Sequence, residues 1–376
     1  MNLTILGSTG SVGHQALSVA LENGIKIDAL CAGSDADALE AQVRATGARF
    51  AALANEEAAM KLKSALADTP CRVFALEEGI LEMIAQSPSS LFLNSIVGAA
   101  GLKPSLAVIE KGTELALANK ETLVCAGETV MARAKEKGVR IIPVDSEHSA
   151  IYQCLKANGG RSLRRILLTA SGGPFFGKTR EELLSVRACD ALAHPTWNMG
   201  KRITIDSATM MNKGFEIIEA THLFGVGEDK IEVVVQRGSI IHSMVEFSDG
   251  CTLAQLGTPD MCAPIRFALT EHAGYEMKGK VTPLDFRNMN FIPIGKPDEE
   301  TFSLLSLARE VSRLGGTYGA AMNAADEAAV ALFLDGKIGF LDIFDIVRSE
   351  TLGYNHGSDP IEAGRESFSR VMRSFS

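Results

Sequence analysis

The sequence predicts an α/β chain in three parts: an N-terminal Rossmann-like parallel sheet over 1–145, a central α+β domain over 146–272 and a C-terminal α-helical bundle over 299–376. Three observations predict this. Through the first 145 residues short apolar runs alternate with helical patterns, which argues for a parallel sheet covered on both faces. After 146 strand-length runs follow one another with few helices between, as in a mostly antiparallel sheet. From 299 onward helical periodicity is continuous, cut by Gly315-Gly316, Gly336 and Gly357. At 376 residues the chain is too long for one core, so several domains are expected.

Leu3–Leu6 reads as the first strand and Ser11–Asn23 as the first helix. Ile27–Ala32 is a second strand, followed by a helix from about Asp35 to Thr46. Phe50–Leu53, Arg72–Leu76, Leu91–Asn94, Glu114–Ala118 and Arg140–Val144 are further strands, with helical segments between most of them. Ser146–Lys156 reads as a helix and Leu163–Thr169 as a strand. The stretch 171–200 is long and irregular, and a loop of that length inside a domain is usually a lid or a disordered segment. Ile203–Asp206, Ile231–Gln236, Ile240–Phe247 and Cys251–Leu256 read as strands. Residues 273–298 hold Pro283, Pro293 and Pro297 with little periodicity and read as a linker. Four helices close the chain: Glu300–Leu314, Ala320–Asp335, Leu341–Leu352 and Asp359–Phe375.

The formal net charge of −9 excludes a general basic field for nucleic acid or an anionic membrane. An anionic ligand must therefore be held by local groups. The seven cysteines are scattered, odd in number and free of CxxC pairs, which favours reduced thiols over a disulfide frame. The N-terminus has no basic segment followed by an apolar one, so no signal peptide is expected. The apolar run Ala321–Leu334 is interrupted by Asn323, Asp326 and Glu327, so no membrane span is expected either. A cytoplasmic protein fits these features.

Gly7-Ser8-Thr9-Gly10-Ser11-Val12-Gly13 follows the first strand and opens the first helix. Glycines there let the backbone approach a pyrophosphate, which the helix N-terminus then faces. The alternative is a structural tight turn. The second strand ends in Gly33-Ser34-Asp35, where an acidic residue can meet a ribose 2′-hydroxyl or can simply cap the next helix. Asn119-Lys120-Glu121 stands at a strand–helix junction, where Lys120 can reach a phosphate or a developing oxyanion, or lie on the surface beside a helix-start carboxylate.

Asp145-Ser146-Glu147 comes straight after the strand ending at Val144. Two carboxylates around a hydroxyl suit a hard cation such as Mg2+ or Mn2+, but they equally suit a helix start. A third carboxylate decides between these. Glu216 is the candidate, because in a helix it shares a face with Asn212. Ser207, Asn212, Lys213 and Ser171 would supply donors for a phosphate monoester; the other reading is an amphipathic core helix. His194-Pro195-Thr196-Trp197-Asn198-Met199-Gly200 ends the irregular stretch and holds the chain's one tryptophan, as a lid or as an aromatic anchor would.

Taken together, Gly7–Gly13, Asn119–Glu121, Val144–His148, Leu168–Phe175, His194–Gly200 and Asp206–Glu219 resemble the 1-deoxy-D-xylulose 5-phosphate reductoisomerase family in order and spacing, over essentially the full chain. The resemblance implies an NADPH- and divalent-metal-dependent enzyme of non-mevalonate isoprenoid synthesis. Its substrate rearranges, by retro-aldol cleavage and re-addition, and is then reduced to 2-C-methyl-D-erythritol 4-phosphate. It implies that 146–272 is the catalytic domain. Thr9, Gly10, Ser11 and Val12 would hold cofactor phosphates, with Gly7, Gly33, Ser34, Asp35, Asn119, Glu121 and Gly200 lining the same site. Asp145, Glu147 and Glu216 would bind Mg2+ or Mn2+, with Co2+ as a third option. Ser171, Ser207, Asn212 and Lys213 would grip the substrate phosphate. Ser146, Lys120 and His194 would contact the sugar, and Trp197 would close over it. Lys120, Asp145, Glu147, Glu216 and His194 form the implied catalytic set, and a homodimer is implied.

The chain departs from the family at Gly33-Ser34-Asp35, where a basic residue usually follows the glycine. A reduced preference for NADPH over NADH is therefore expected. Two rival functions share the N-terminal fingerprint. An aldehyde dehydrogenase of the aspartate-semialdehyde type needs an activated cysteine, for which Cys125 and Cys154 are the nearest candidates. A nucleotide sensor that kept the fold would have no use for the acidic residues and phosphate donors.

Overall fold

The computed structural model describes residues 1–375 apart from 198, 290, 291, 355, 356 and 358. Its first part alternates β1 (Asn2–Leu6), α1 (Ser11–Glu22), β2 (Lys26–Ala32), α2 (Ala36–Thr46), β3 (Phe50–Leu53), α3 (Glu56–Ala65), β4 (Arg72–Ala75), α4 (Leu76–Gln86), β5 (Leu91–Asn94), α5 (Leu102–Glu110), β6 (Glu114–Leu117), α6 (Glu121–Lys137), β7 (Ile141–Pro143) and α7 (Ser146–Lys156). The seven strands form one parallel sheet in the order β4-β3-β2-β1-β5-β6-β7. The order reverses beside β1, and open α/β sheets bind ligands at such a switch point. Leu3, Ile5, Leu30, Leu91, Leu93 and Ala116 are fully buried, as a strand covered on both faces requires.

The chain continues through β8 (Leu163–Ala170), the short helices α8 (Arg180–Leu183) and α9 (Ala188–Ala191), α10 (Lys201–Ala208), α11 (Met211–Phe224), β9 (Ile231–Val235), β10 (Ile241–Phe247), β11 (Thr252–Leu256) and α12 (Cys262–Ala273). The helices α13 (Leu304–Leu314), α14 (Tyr318–Leu334), α15 (Phe340–Gly353) and α16 (Pro360–Ser374) complete it. The second sheet runs β11-β10-β8-β9, with β8–β9 parallel and the other pairs antiparallel.

Three expectations are corrected. Ile203–Asp206 is not a strand but lies inside α10. Ile203, Thr204 and Ile205 are β-branched and suggest a strand in isolation, yet Arg202 and Asp206 pair one helical turn apart at 3.8 Å. The stretch 171–200 is not wholly irregular, because Thr179 and Glu182 form a capping box that starts α8.

The third correction concerns boundaries. The chain forms two compact units rather than three domains: residues 1–119, 129–149 and 260–281 make one, and 120–128, 150–259 and 282–376 make the other. Residues 260–281 thus leave the central domain expected to run to 272, and 273–281 are no linker. In the first unit Ile265, Ala268, Leu269 and Met277 join the core of Leu3, Ile5, Ala16 and Ile142, and Lys278 N–H donates to Asn23 Oδ1 at 2.7 Å. In the second, Phe215, Ile217 and Val245 share one core with Leu304, Leu332, Phe340 and Phe344, so the terminal helices have no separate core.

Candidate functional site

In the N-terminal unit the backbone crosses from β1 to α1 through a turn only glycine can make. Gly7 has φ +84, and a Cβ there would stand 2.8 Å from the Ser95 backbone. A Cβ on Gly13 would stand 2.1 Å from the Gly7 carbonyl oxygen, so α1 seats against the turn only without a side chain there. The N-cap, Gly10, offers no side-chain acceptor, and the first turn of α1 has no acid. This is a cradle for an anionic group and fits a pyrophosphate. Gly10 and Ser11 are exposed, Thr9 and Val12 half-buried. Gly33, Ser34 and Asp35 are exposed at the end of β2, and Asp35 Oδ1 accepts from Ala38 N–H at 3.0 Å, the capping role weighed from sequence. Asn119 Nδ2 donates to the carbonyls of Ile96 and Gly98 at 2.7 and 2.9 Å, which pins the loop after β5.

Asp145, Ser146 and Glu147 stand at the β7–α7 junction of the same unit. Asp145 is nearly buried, Ser146 Oγ donates to Glu147 Oε2, and buried His148 places Nδ1 3.9 Å from Asp145 Oδ1. Two carboxylates and a hydroxyl at the end of a strand are an oxygen donor set that fits a hard divalent cation.

In the second unit one tight constellation forms around Glu216, which is 1% exposed. Lys120 Nζ donates to Glu216 Oε1 at 3.0 Å and to Asn212 Oδ1 at 2.8 Å. Asn212 Nδ2 donates to Glu216 Oε1 at 2.5 Å, as expected from the shared helix face, and Lys213 Nζ donates to Glu216 Oε2. Two buried ammonium groups compensate one buried carboxylate, as burial requires. Met210, at φ +65, breaks the chain between α10 and α11, so Ser207 and Asn212 lie on opposite sides of that break.

A second constellation of this unit holds the lid. Thr196 and Trp197 N–H donate to His194 Nδ1 at 3.2 and 3.0 Å. With Nδ1 accepting, the ring proton sits on Nε2 and points to Ser171 Oγ at 3.1 Å. Burial, then the Arg237 cation, holds the His194 pKa below 6.5. Trp197 Nε1 donates to Ser239 Oγ at 3.3 Å, and Arg237 Nη1 donates to the carbonyls of Ser171 and Gly173 at 3.1 and 2.6 Å. A Cβ on Gly173 would stand 2.5 Å from the Ser207 carbonyl oxygen, so the loop after Ser171 presses on the end of α10. His242 joins the two constellations: its ring centroid is 6.4 Å from that of Trp197, and burial together with the nearby Lys213 charge lowers its pKa. Asn198, inside the His194–Gly200 run, lies outside the described residues.

Sequence reasoning missed Arg237, Ser239, His242 and Arg202. The Gln236-Arg237-Gly238-Ser239 turn between two strands was a visible signal; nothing local marked His242. Arg202 carried a signal in its four-residue spacing from Asp206, hidden by the strand assignment. Arg202 reaches Glu121 at 3.5 Å, so Glu121 is held from α10 as well as standing at its predicted junction. Gly200 is the N-cap of α10. Cys125 and Cys154 are buried and their thiol pKa values are raised, to about 11 for Cys154, the reverse of an activated nucleophile. Neither cysteine nominated for the aldehyde dehydrogenase alternative is an activated nucleophile.

Three family models match: 1-deoxy-D-xylulose 5-phosphate reductoisomerase over residues 3–127, its C-terminal domain over 141–224, and a DXP reductoisomerase C-terminal domain over 256–367. The chain is 48% identical to the 1-deoxy-D-xylulose 5-phosphate reductoisomerase of Lachnospira eligens, covering 92% of this chain and 91% of that one. It is 46% identical to that of Geotalea daltonii over the full length of both. Among solved structures it resembles the Zymomonas mobilis reductoisomerase in complex with NADPH, at 39% identity and TM-score 0.91, over 100% of this chain and 99% of the other. A DOX-P reductoisomerase in complex with NADPH, fosmidomycin and magnesium is 36% identical, with TM-score 0.92, over 100% and 97%.

Proposed function

The chain belongs to the 1-deoxy-D-xylulose 5-phosphate reductoisomerase family, and we infer from this that it converts 1-deoxy-D-xylulose 5-phosphate to 2-C-methyl-D-erythritol 4-phosphate using NADPH and a divalent metal. The full-length kinship carries this reading, because it includes both the cofactor fingerprint and the charged constellation around Glu216.

The residue roles are part of the proposal. Thr9, Gly10, Ser11 and Val12 hold the cofactor phosphates, with Gly7, Gly33, Ser34, Asp35, Asn119, Glu121 and Gly200 lining that site; NADPH supplies hydride. Asp145, Glu147 and Glu216 bind Mg2+ or Mn2+, which polarises substrate oxygens. Ser171, Ser207, Asn212 and Lys213 bind the phosphate. Lys120 offsets negative charge that develops on the substrate, and its bond to Glu216 fixes where its ammonium points. Ser146 and His194 meet the sugar. Trp197 covers it and excludes water, with His194 as the anchor of the lid backbone. A homodimer and a cytoplasmic location complete the reading; among the described residues no helix is long and apolar enough to cross a membrane.

The test is NADPH oxidation on 1-deoxy-D-xylulose 5-phosphate, with Mg2+ or Mn2+ and with a chelator. Metal-dependent turnover supports the proposal, and its absence ends it.

A further inference from the structure

In the second unit lies a group of charges of which the proposed roles use Glu121 alone. Arg202 on α10 reaches Asn323 Oδ1 at 2.7 Å, Glu327 at 3.2 Å and Asp326 at 3.6 Å on α14, Glu121 at 3.5 Å on α6 and Asp206 at 3.8 Å on its own helix. Four carboxyl groups thus surround one guanidinium. Asp206 and Asp326 are 4% and 0% exposed, yet among the described residues Asp206 Oδ1 and both oxygens of Asp326 find no donor. Buried carboxylates without donors are costly, and two in contact cannot both ionise. Both carboxyls close on the same guanidinium, Asp206 at 3.8 Å and Asp326 at 3.6 Å, and the charge of Asp326 helps to raise the Asp206 pKa. A proton on one turns two idle acceptors into a donor and an acceptor.

We propose that Asp206 and Asp326 share one proton, and that this pair, gripped by Arg202, is a positioning lock that fixes α10, with Ser207 and the Gly200 end of the lid, against α14. Arg202 also holds Glu121, the neighbour of Lys120, so one guanidinium positions two pieces of the proposed site. These are positioning residues; none is assigned a contact with substrate. The inference rests on the reductoisomerase reading for its kinetic consequence only.

The groups that bear on the pair are Arg202 on α10, Glu121 on α6 and Glu327 on α14, and the buried Cys125 thiol of α6 feels those three charges in turn. Burial, then Asp326, lifts the Asp206 pKa well above the carboxylate range, and burial lifts that of Asp326 to about 6. The lock therefore operates between two ionisations. Toward acid Asp326 gains a proton and Arg202 loses a carboxylate. Toward alkali the shared proton leaves and two like charges face each other across α10 and α14.

Asp326→Asn supplies an amide that donates to Asp206 at every pH. In the unsubstituted protein KM for the sugar phosphate should rise roughly tenfold on the alkaline side while kcat changes less; in Asp326→Asn that rise should vanish. Arg202→Met should raise KM at all pH values, with partial rescue by Arg202→Lys. Infrared spectroscopy without substrate gives the independent readout: a protonated-carboxyl carbonyl band at neutral pH, lost in Asp326→Asn and in Asp206→Asn. The band is present or absent whether or not the chain turns over this substrate. Identical infrared spectra, or an unchanged alkaline rise in KM in Asp326→Asn, would overturn the proposal.

Discussion

Two lysines and an amide spend their donors on the single carboxylate of Glu216. Truncating one member of such a buried set leaves the others under-compensated. Lys213→Met should therefore cost about 2–5 kcal/mol of transition-state binding, roughly 30-fold to several thousand-fold in kcat/KM. Steady-state kinetics check this, with circular dichroism to confirm folding; a loss under threefold would refute it. His194 makes a subtler prediction. Its neutral ring holds the lid through Nδ1, and the fold depresses its pKa, so protons favour the unfolded chain. This stabilisation is complete above the unfolded value of about 6.5 and is lost as pH falls from there through the folded value. Arg237 contributes to the depression by its charge and holds the Ser171 loop by two hydrogen bonds. Arg237→Ala should lower kcat/KM several-fold, about 1 kcal/mol, and move the acid limb of its pH profile upward. A limb that stays put or moves down would show that the charge of Arg237 does not reach His194.

At the scale of elements, what sequence revealed was local and what it missed was not. The Gly7–Gly13 turn was legible because Gly7 answers its own positive φ and Gly13 the Gly7 carbonyl six residues back, whereas the Ser95 backbone that also crowds Gly7 left no local mark. The Asn212–Glu216 contact was legible because four residues make one helical turn. Helix α10 was misread because its three β-branched residues outweigh, in a short window, an Arg202–Asp206 pairing that draws its remaining partners from α6 and α14. Helix α12 left no trace because its partner, α1, lies some 250 residues earlier in the chain. The turn from β2 to α2 carries a prediction of its own. Asp35 is occupied in capping α2, and Gly33-Ser34-Asp35 brings no cation to a 2′-phosphate. The ratio of kcat/KM for NADPH to that for NADH should be smaller than is usual in the family. Kinetics with both cofactors measure it, and a strong NADPH preference would sink the expectation.

At the scale of the molecule, the chain leaves its N-terminal unit and comes back. Residues 260–281 return to it, and α12 buries Ile265, Ala268 and Leu269 in the same core as Leu3 and Ile142. The proposed cofactor cradle therefore depends on side chains that a boundary at 272 would have given to the central domain. Ala268 is fully buried, and an uncompensated carboxylate there would be expelled or neutralised at high cost. Scanning calorimetry should resolve two transitions, one for each core. NADPH at a hundred times its Kd should stabilise the N-terminal transition by about 2.7 kcal/mol. Ala268→Asp should lower the NADPH-sensitive transition and leave the other nearly in place. If it instead lowers the NADPH-insensitive one, α12 belongs energetically with the second sheet, and the boundary read from sequence was the better one.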